Sequence, residues 1–374
     1  MFGVNEARKL ITTLLEDDSS GNAPTNEKEL KELKPFHRPV RVDEVSLAWL
    51  LYAVANTHEF DELPVRHNEE HLNEALSEDL MWGADVSSVL NPDHGRSHVN
   101  LDVMADPHTK CFLLLQAYLE KAKLPISDYI NDTRTVVDQI PRLLAAMYYI
   151  ALDDTTIAGN FDLLCQFSRI RAIFATRTMV DADPLSQLSG FTNDAIRRLA
   201  NGAKSRKKNM PSLWELRSQS RADSAALLKG LLKGQRFDVE RMLDSVYATP
   251  LYSVEEAKVS HEVDKALGKS VGKLAITVEI QYENVKRGRS RDEDTPLTLT
   301  VLLGTRLQKS LLAHSTLSLP RRGEKASPSK KKLELKFDWA VANAGGGEEG
   351  GSMTLRFLME DLRGLDTELV VPLS

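Results

Sequence analysis

The sequence has no segment that fits the phosphate-binding loop of a nucleotide-hydrolysing enzyme. Neither the GxxxxGK[ST] pattern, in which backbone N–H groups hold phosphates, nor a DExH-type acidic motif for a magnesium ion occurs in its 374 residues. No nucleophile, base and orienting acid follow one another in a recognisable order. We therefore predict that the chain alone is not an enzyme and binds neither ATP nor Mg²⁺ nor another cofactor.

Cysteines and long apolar runs are also scarce. Cys111 and Cys165, the only two cysteines, lie in apolar helical patterns, which favours core packing in a reducing compartment over a disulfide or a metal site. The longest strongly apolar run, Leu47–Ala55, is too short to cross a bilayer, and the N-terminus lacks the apolar body of a signal peptide. We expect an intracellular, soluble protein of the nucleus or cytoplasm, with no membrane partner.

The net charge of −6 excludes a nucleic-acid coat protein that is basic over its whole surface. Any contact with nucleic acid must therefore come from a local patch of cations. The content of 42% hydrophobic and 27% charged residues is ordinary for a soluble globular protein, and the length suggests two or three domains.

The hydrophobic pattern changes from helical to alternating at about residue 250. Leu274, Ile276 and Val278 alternate with polar residues, and two similar rows run over 333–339 and 353–359, as in half-buried antiparallel strands. We predict an α+β chain in four parts: an N-terminal helix and linker at 1–43, a helical bundle at 44–182, a smaller helical unit at 183–250 and a β-sandwich at 251–374.

The most informative helical segment runs from Asp106 to Leu152. Asp106 and Pro107 suit the start of a helix, and Leu124-Pro125-Ile126 breaks the chain before a second helix at 132–152. One face of this second helix is apolar, at steps of three and four, with Val136, Ile140, Leu143, Met147 and Ile150. The other face is polar, with Thr135, Asp138, Gln139, Arg142 and Tyr149.

Two interpretations of this polar face stay open from the spacing alone. It could be a solvated surface, as most polar helix faces are, and the spacing favours this. It could instead line a channel for a nucleic-acid strand, with Arg142 on a phosphate, Gln139 and Thr135 on sugars or base edges, and Tyr149 stacked on a base. Pro141 should kink the helix and could misplace Arg142.

Other charged residues could also either form a binding site or be part of a solvated surface. A basic turn, defined here as Lys204, Arg206, Lys207 and Lys208, could hold phosphates by charge, or it could be a solubilising loop, and the sequence favours neither. The lysines at 330–332 fit loop charge better than a binding site. His67 and His71 lie four residues apart, but Asn68 replaces the glutamate of the zinc-protease pattern, so we predict no metal.

Three segments carry a family resemblance: DELPVRHNEEHLNEAL at Asp61–Leu76, DPHTKCFLLLQAYL from Asp106, and DYINDTRTVVDQIPRLLAA from Asp128. Together they resemble the Sec sixty-three homology module at the C-terminus of the large Ski-two-like helicases. Within that group they are most similar to the helicase subunit of the activating signal cointegrator complex and its fungal ribosome-quality-control counterpart. The spliceosomal U-five snRNP helicase is the next best match.

The resemblance implies a helical bundle, a helix-loop-helix domain and a fibronectin-III-like sandwich. For the PVRHNE stretch it implies a structural, charged corner in which Arg66 and Glu69 pair with neighbouring helices. It also implies that the helix at 132–152 is a ratchet helix touching a strand of RNA or DNA, which favours the channel interpretation. Expected partners are upstream RecA-like helicase domains, which would supply ATP and Mg²⁺ binding, and other complex subunits that dock on the sandwich. The alternative is a protein-interaction module of a spliceosomal helicase in pre-mRNA splicing, and the departures from the family pattern after Leu152 favour that alternative.

Overall fold

The computed structural model describes most of the chain in two compact units, which divide between Val180 and Asp181, close to the boundary expected at 182–183. The described residues are 44–82, 101–153, 160–232, 237–264, 269–281, 296–305, 310–319, 329–343 and 352–372. The N-terminal helix and linker predicted at 1–43 lie outside these residues.

The first unit is helical. Its α-helices are α1 (Glu44–Ala55), α2 (Glu69–Asp79), α3 (Leu101–Met104), α4 (Pro107–Glu120), α5 (Ser127–Asp153) and α6 (Asn160–Thr176), with a 3-10 helix at His58–Phe60. The side chain of Asp106 accepts the N–H groups of His108 and Thr109, so the predicted start of α4 is confirmed. The helix predicted at 132–152 begins earlier than expected, at Ser127, directly after the Pro125-Ile126 break.

The second unit begins with short helices. These are a 3-10 helix at Pro184–Gln187 and the α-helices α7 (Asn193–Ser205), α8 (Leu213–Ser218), α9 (Arg221–Leu231) and α10 (Val239–Tyr247). Serine and threonine side chains cap three of these helices. At α8 the cap is reciprocal, since Ser212 and Glu215 each bond the other's backbone N–H.

A β-sandwich of two antiparallel sheets follows the helices. The strands are β1 (Leu251–Asp264), β2 (Lys269–Gln281), β3 (Leu297–Thr305), β4 (Leu311–Leu319), β5 (Ser329–Asp338), β6 (Ser352–Met359) and β7 (Thr367–Pro372), with a short helix α11 (Trp339–Asn343). One sheet has the order β1-β2-β5 and the other β4-β3-β6-β7. The α+β fold class with a C-terminal sandwich is confirmed, and the three alternating rows lie on β2, β5 and β6.

The helices at 184–247 and the sandwich share one hydrophobic core. Leu199, Leu216 and Val246 from the helices belong to the same buried cluster as Leu274 and Phe357 from the sandwich. The boundary predicted at 250–251 therefore falls inside a continuous core. In addition, the Gln187 side chain donates to the Arg363 carbonyl at 2.7 Å and accepts the Arg363 N–H at 2.9 Å.

Close packing at this junction requires a glycine. Gly364 has φ of +85°, and a Cβ there would lie 2.7 Å from Cβ of Pro184. A larger residue would meet both a backbone penalty and a clash, so the sandwich can approach the 3-10 helix only with glycine at this position.

Candidate nucleic-acid interface

The helix α5 has two distinct faces, as the sequence pattern predicts. Val136, Ile140, Leu143 and Met147 are each at most 3% exposed and form its core face. Ile150, expected on the same face, is only half-buried. On the opposite side, Thr135, Asp138, Arg142 and Tyr149 are exposed and Gln139 is half-buried. We call this second face the α5 stripe.

A buried group of charges holds the N-terminal part of α5. Lys110, on α4, is 0% exposed, and its Nζ donates to Glu69 Oε2 at 2.6 Å and to Asp132 Oδ2 at 2.7 Å. It also donates to the Pro64 carbonyl at 2.6 Å. The ammonium group therefore has three oxygen partners, the number of hydrogens it can donate.

Arg66 completes this charge cluster at its exposed edge. Its guanidinium donates to both carboxylate oxygens of Asp132, at 2.7 and 3.2 Å, and to Glu69 Oε1 at 2.9 Å. Its Nε also lies 3.4 Å from Asp128. We call Arg66, Glu69, Lys110 and Asp132 the charge cluster. Because its members come from α2, α4, α5 and the turn before α2, it ties α5 to two neighbouring helices.

Burial and hydrogen bonds act in opposite directions on the pKa values of the two carboxylates in this cluster, and the combined effect of the hydrogen bonds is the larger. Burial alone would raise the pKa of Asp132, but the bonds from Arg66 and Lys110 lower that pKa below its ordinary value. The pKa of Glu69 is lowered for the same reasons, again against the effect of burial. Both carboxylates are therefore stabilised in the charged form. Burial, with the nearby carboxylates, raises the pKa of the Tyr129 hydroxyl, which donates to Asn73 Oδ1 at 2.6 Å.

The sequence predicted part of this cluster. The pairing of Arg66 and Glu69 with neighbouring helices is confirmed. Lys110 and Asp132 were missed, because a lysine inside an apolar run and an aspartate near a helix start resemble ordinary solvated charges. The available signal was the helical period, which puts Asp132 on the same arc as Val136 and Leu143.

Arg142, the central residue of the α5 stripe, already has two partners. Its Nη2 lies 2.9 Å from Glu59 Oε2, on the 3-10 helix, and donates to Gln139 Oε1 at 2.9 Å. The pair is open to solvent, with 59% of the Arg142 side chain and 27% of the Glu59 side chain exposed. The glutamate was missed because its distance along the chain follows no helical period.

Thr135 and Tyr149, two further residues of the α5 stripe, contact neighbours on their own helix. The Thr135 hydroxyl donates to the Asn131 carbonyl at 3.2 Å, within its own helix. Tyr149 is 62% exposed, and its ring meets Tyr148 edge-on with a centroid separation of 6.0 Å. Most of the Tyr149 side chain is thus accessible to solvent.

Arg134 is a further cation on the α5 stripe, not among the residues predicted from the sequence. It is exposed on α5, two helical turns before Arg142, and makes no hydrogen bond or ion pair within the described part of the chain. The signal was available, since positions 134, 138 and 142 are spaced by four. The helix continues through Pro141, and the kink expected there stays a prediction.

The basic turn is the C-terminal end of α7. The N–H of Lys207 bonds the Lys204 carbonyl and that of Lys208 bonds the Ala203 carbonyl, both at 3.0 Å, with φ of +53° at Lys207. This is a Schellman ending, in which cations also interact favourably with the helix dipole. Lys204, Arg206, Lys207 and Lys208 are exposed, and Arg206 donates to the Gly230 carbonyl at 2.6 Å.

In the described part of the chain, the remaining charged residues and potential metal ligands form no further candidate binding site. Among the described residues, no three or more His, Cys, Asp or Glu side chains are grouped so that they could hold a metal ion. Cys111 and Cys165 are both buried free thiols. The lysines at 330–332 lie in strand β5 rather than in the predicted loop, and Lys330 pairs with Glu255 at 2.6 Å. In the described residues no helix is both long and apolar enough to span a membrane.

Comparison with known proteins adds a family match. The profile of the Sec63 Brl domain matches residues 33–369. The chain is 40% identical over 117 residues to the DExH-box ATP-dependent RNA helicase DExH14 of Arabidopsis thaliana and 35% identical over 159 residues to the RQC trigger complex helicase SLH1 of Saccharomyces cerevisiae. It is 41% identical over 108 residues to the activating signal cointegrator 1 complex subunit 3 of Homo sapiens.

These relatives are much longer than the chain. The matched segments cover 31%, 42% and 29% of this chain, but only 5%, 7% and 4% of the respective relatives. The chain therefore corresponds to a small part of each of them. The resemblance to the cointegrator-complex helicase subunit and its fungal counterpart, noted in the sequence, is confirmed.

Proposed function

Because the chain belongs to the Sec63 Brl domain family, we propose that it acts as a non-catalytic accessory unit of a Ski-two-like, ATP-dependent RNA or DNA helicase. Support comes from the names of its relatives, which include two described as helicases, and from the match to the domain over residues 33–369. In this proposal RecA-like domains outside the chain supply the binding of ATP and Mg²⁺ and the motor activity.

The observation that carries the proposed role is the α5 stripe. A helix of 27 residues is anchored by an apolar face and by the charge cluster. Its opposite face presents exposed arginine, carboxylate, hydroxyl and tyrosine groups and the half-buried amide of Gln139. Such a rigid polar surface could contact the phosphates, sugars and bases of a single strand in turn. We propose that the stripe completes the channel through which the motor draws a strand.

The basic turn is a second, weaker candidate for phosphate contact. Its four cations are exposed, but only charge would attract a strand to them, since aromatic and amide groups are absent from Lys204–Lys208. We propose that it adds sequence-independent affinity. The sandwich would dock other subunits of the parent complex, in ribosome quality control or DNA repair. If the chain belongs to a spliceosomal helicase, the same unit would serve mainly as a protein-interaction module.

Strand binding by the purified chain tests the proposal directly. Fluorescence anisotropy with a labelled oligouridylate should show weak binding that falls with salt, with a slope near −0.7 for each phosphate contacted. A stripe variant (Arg134→Ala, Arg142→Ala, Tyr149→Ala) should lose most of this binding. A matched basic-turn variant (Lys204→Ala, Lys207→Ala, Lys208→Ala) should lose less.

The two variants separate the possible outcomes. If the basic-turn variant alone abolishes binding, the strand does not use α5 and the channel role is wrong. If the unchanged protein fails to bind at low salt, the nucleic-acid role is wrong, and the protein-interaction module remains. Equal thermal stability of all three proteins by circular dichroism would show that the losses do not come from unfolding.

A further inference from the structure

The two arginines of the α5 stripe are in different states. Arg142 Nη2 is shared between Glu59 Oε2 and Gln139 Oε1, each at 2.9 Å. Arg134 has no such partner within the described residues. Eight residues of helix separate the two, which is about 12 Å along the axis at 1.5 Å per residue. Both lie on the exposed face, so one extended strand could reach both.

A phosphate that approaches Arg142 meets a site that is already occupied. A carboxylate and a phosphate are alternative acceptors for the same guanidinium N–H groups, and both form charge-assisted bonds. Glu59 also brings a negative charge to the place where the strand's own negative charge would lie. Arg134, in contrast, has no ion pair with any residue of the described ranges that a phosphate would have to break.

We propose that Glu59 competes with a strand phosphate for Arg142, so that Arg134 is the first cation of the stripe to bind and Arg142 binds only when Glu59 is displaced. This inference rests on the proposed strand-binding function and names the residue that sets its affinity. Glu59, on the neighbouring 3-10 helix, therefore limits the affinity of the stripe. Tight binding requires a strand phosphate that takes the place of Glu59 on Arg142.

The environment of the pair makes this exchange possible. More than half of the Arg142 side chain is exposed, and exposed ion pairs are weak because water screens them. Arg66, in the charge cluster, is a useful contrast. It binds two carboxylates that are 2% and 8% exposed, with both oxygens of Asp132 engaged, and a passing phosphate cannot displace such partners.

A double-mutant cycle on the full chain tests the competition. The proteins are wild type, Glu59→Gln, Arg142→Ala and their combination, and the probe is the labelled oligouridylate at fixed low salt. Glu62→Gln is the matched control, because it removes the same charge from an exposed glutamate three residues along the chain. Arg134→Ala, made in the wild-type and Glu59→Gln backgrounds, measures the contribution of Arg134 to strand affinity.

We expect Glu59→Gln to tighten binding by about two- to five-fold, the affinity equivalent of one exposed ion pair, and Glu62→Gln to have less effect. Arg142→Ala should change wild-type affinity little but remove the whole gain in the Glu59→Gln background. Arg134→Ala should weaken binding in both backgrounds. The salt slope should become steeper in Glu59→Gln by about 0.7, for one added phosphate contact.

Three outcomes would overturn the inference. If Glu59→Gln binds no more tightly than Glu62→Gln, Glu59 does not compete. If Glu59→Gln still tightens binding when Arg142 is absent, the gain in affinity is a general charge effect. Neither of these two results contradicts the proposed strand-binding function. If none of the proteins binds the probe, the proposed function fails and this inference fails with it.

Discussion

The helix α5 carries two ion-pair systems with similar chemistry and opposite surroundings. Towards its N-terminus, the buried Asp132 is bound to Lys110 and Arg66. Further along the helix, Arg142 forms a solvent-accessible ion pair with Glu59. A buried charge that loses its partner is left in a poorly polarisable interior, whereas an exposed charge recovers its bonds from water. The first system therefore anchors the helix, and the second is available for exchange with a ligand.

Removing Lys110 should produce the largest effect. In Lys110→Met, two buried carboxylates lose a partner, and we expect the first unit to lose about 3–5 kcal/mol of its free energy of unfolding. The exposed counterpart, Arg142→Met, should cost less than about 1 kcal/mol. Urea unfolding, followed by hydrogen exchange of peptides from α4 and α5, measures both. Similar losses in the two variants would contradict the division into anchor and exchangeable pair.

The pH dependence of stability should come from the charge cluster. The pKa values of Asp132 and Glu69 are lowered by folding, from ordinary values of 3.8 and 4.5. Their contribution is therefore fully present above about pH 5 and is lost as the pH falls through the lowered pKa values of the folded protein.

Lys110→Met should show a different pH profile. Without the ammonium group the carboxylates are easier to protonate, so the gap in stability between wild type and variant should narrow as the pH falls below 4.5. Urea midpoints measured between pH 7 and pH 3 test this. A gap that stays constant with pH would show that the loss comes from packing rather than charge.

Substitution of Tyr149 should weaken strand binding while leaving the stability of the protein almost unchanged. Because its side chain is 62% exposed, Tyr149→Ala should change stability by no more than about 0.5 kcal/mol. If a base stacks on the ring, the same change should cost about 1–3 kcal/mol of strand-binding free energy. Tyr149→Phe serves as the control and should bind as well as wild type. Equal binding by Tyr149→Ala would remove stacking from the proposed role.

The smallest predicted effect lies in the second unit. Lys207 has φ of +53°, where a side chain is strained and glycine is not, so Lys207→Gly should stabilise the end of α7 by up to about 1 kcal/mol. Lys208→Gly removes the same charge at a position without positive φ and should give no gain. Thermal unfolding of the two variants distinguishes backbone strain from charge repulsion in the basic turn.

Local patterns predicted the fold well. The row of alternating residues at 274–280 became β2, and the helical period of α5 placed Val136, Ile140, Leu143 and Met147 in the core. The early start of α5 was missed because the residues before Asp132 include Asp128 and Asn131, which are poor helix formers, while burial of Tyr129 holds the first turn in place.

The sequence predicted the helices and strands better than it predicted the pairings between residues that lie far apart along the chain. Lys110 meets Asp132, and Arg142 meets Glu59, only because the helices bring them together. No periodicity in the sequence encodes such contacts. The polar face of α5 was therefore predictable. The contrast between Arg142, which pairs with Glu59, and Arg134, which has no ion pair among the residues that the structure describes, required the structure.

Photo-crosslinking identifies the residues that a bound strand touches, and so shows whether the strand lies on α5. An oligouridylate that carries 4-thiouridine is bound to the full chain, irradiated and digested, and the crosslinked peptides are identified by mass spectrometry. We expect crosslinks within Ser127–Asp153, concentrated near Arg134 and Tyr149, and we expect them to be lost when salt releases the strand. Crosslinks confined to the sandwich or to Lys204–Lys208, with α5 unmodified, would contradict it.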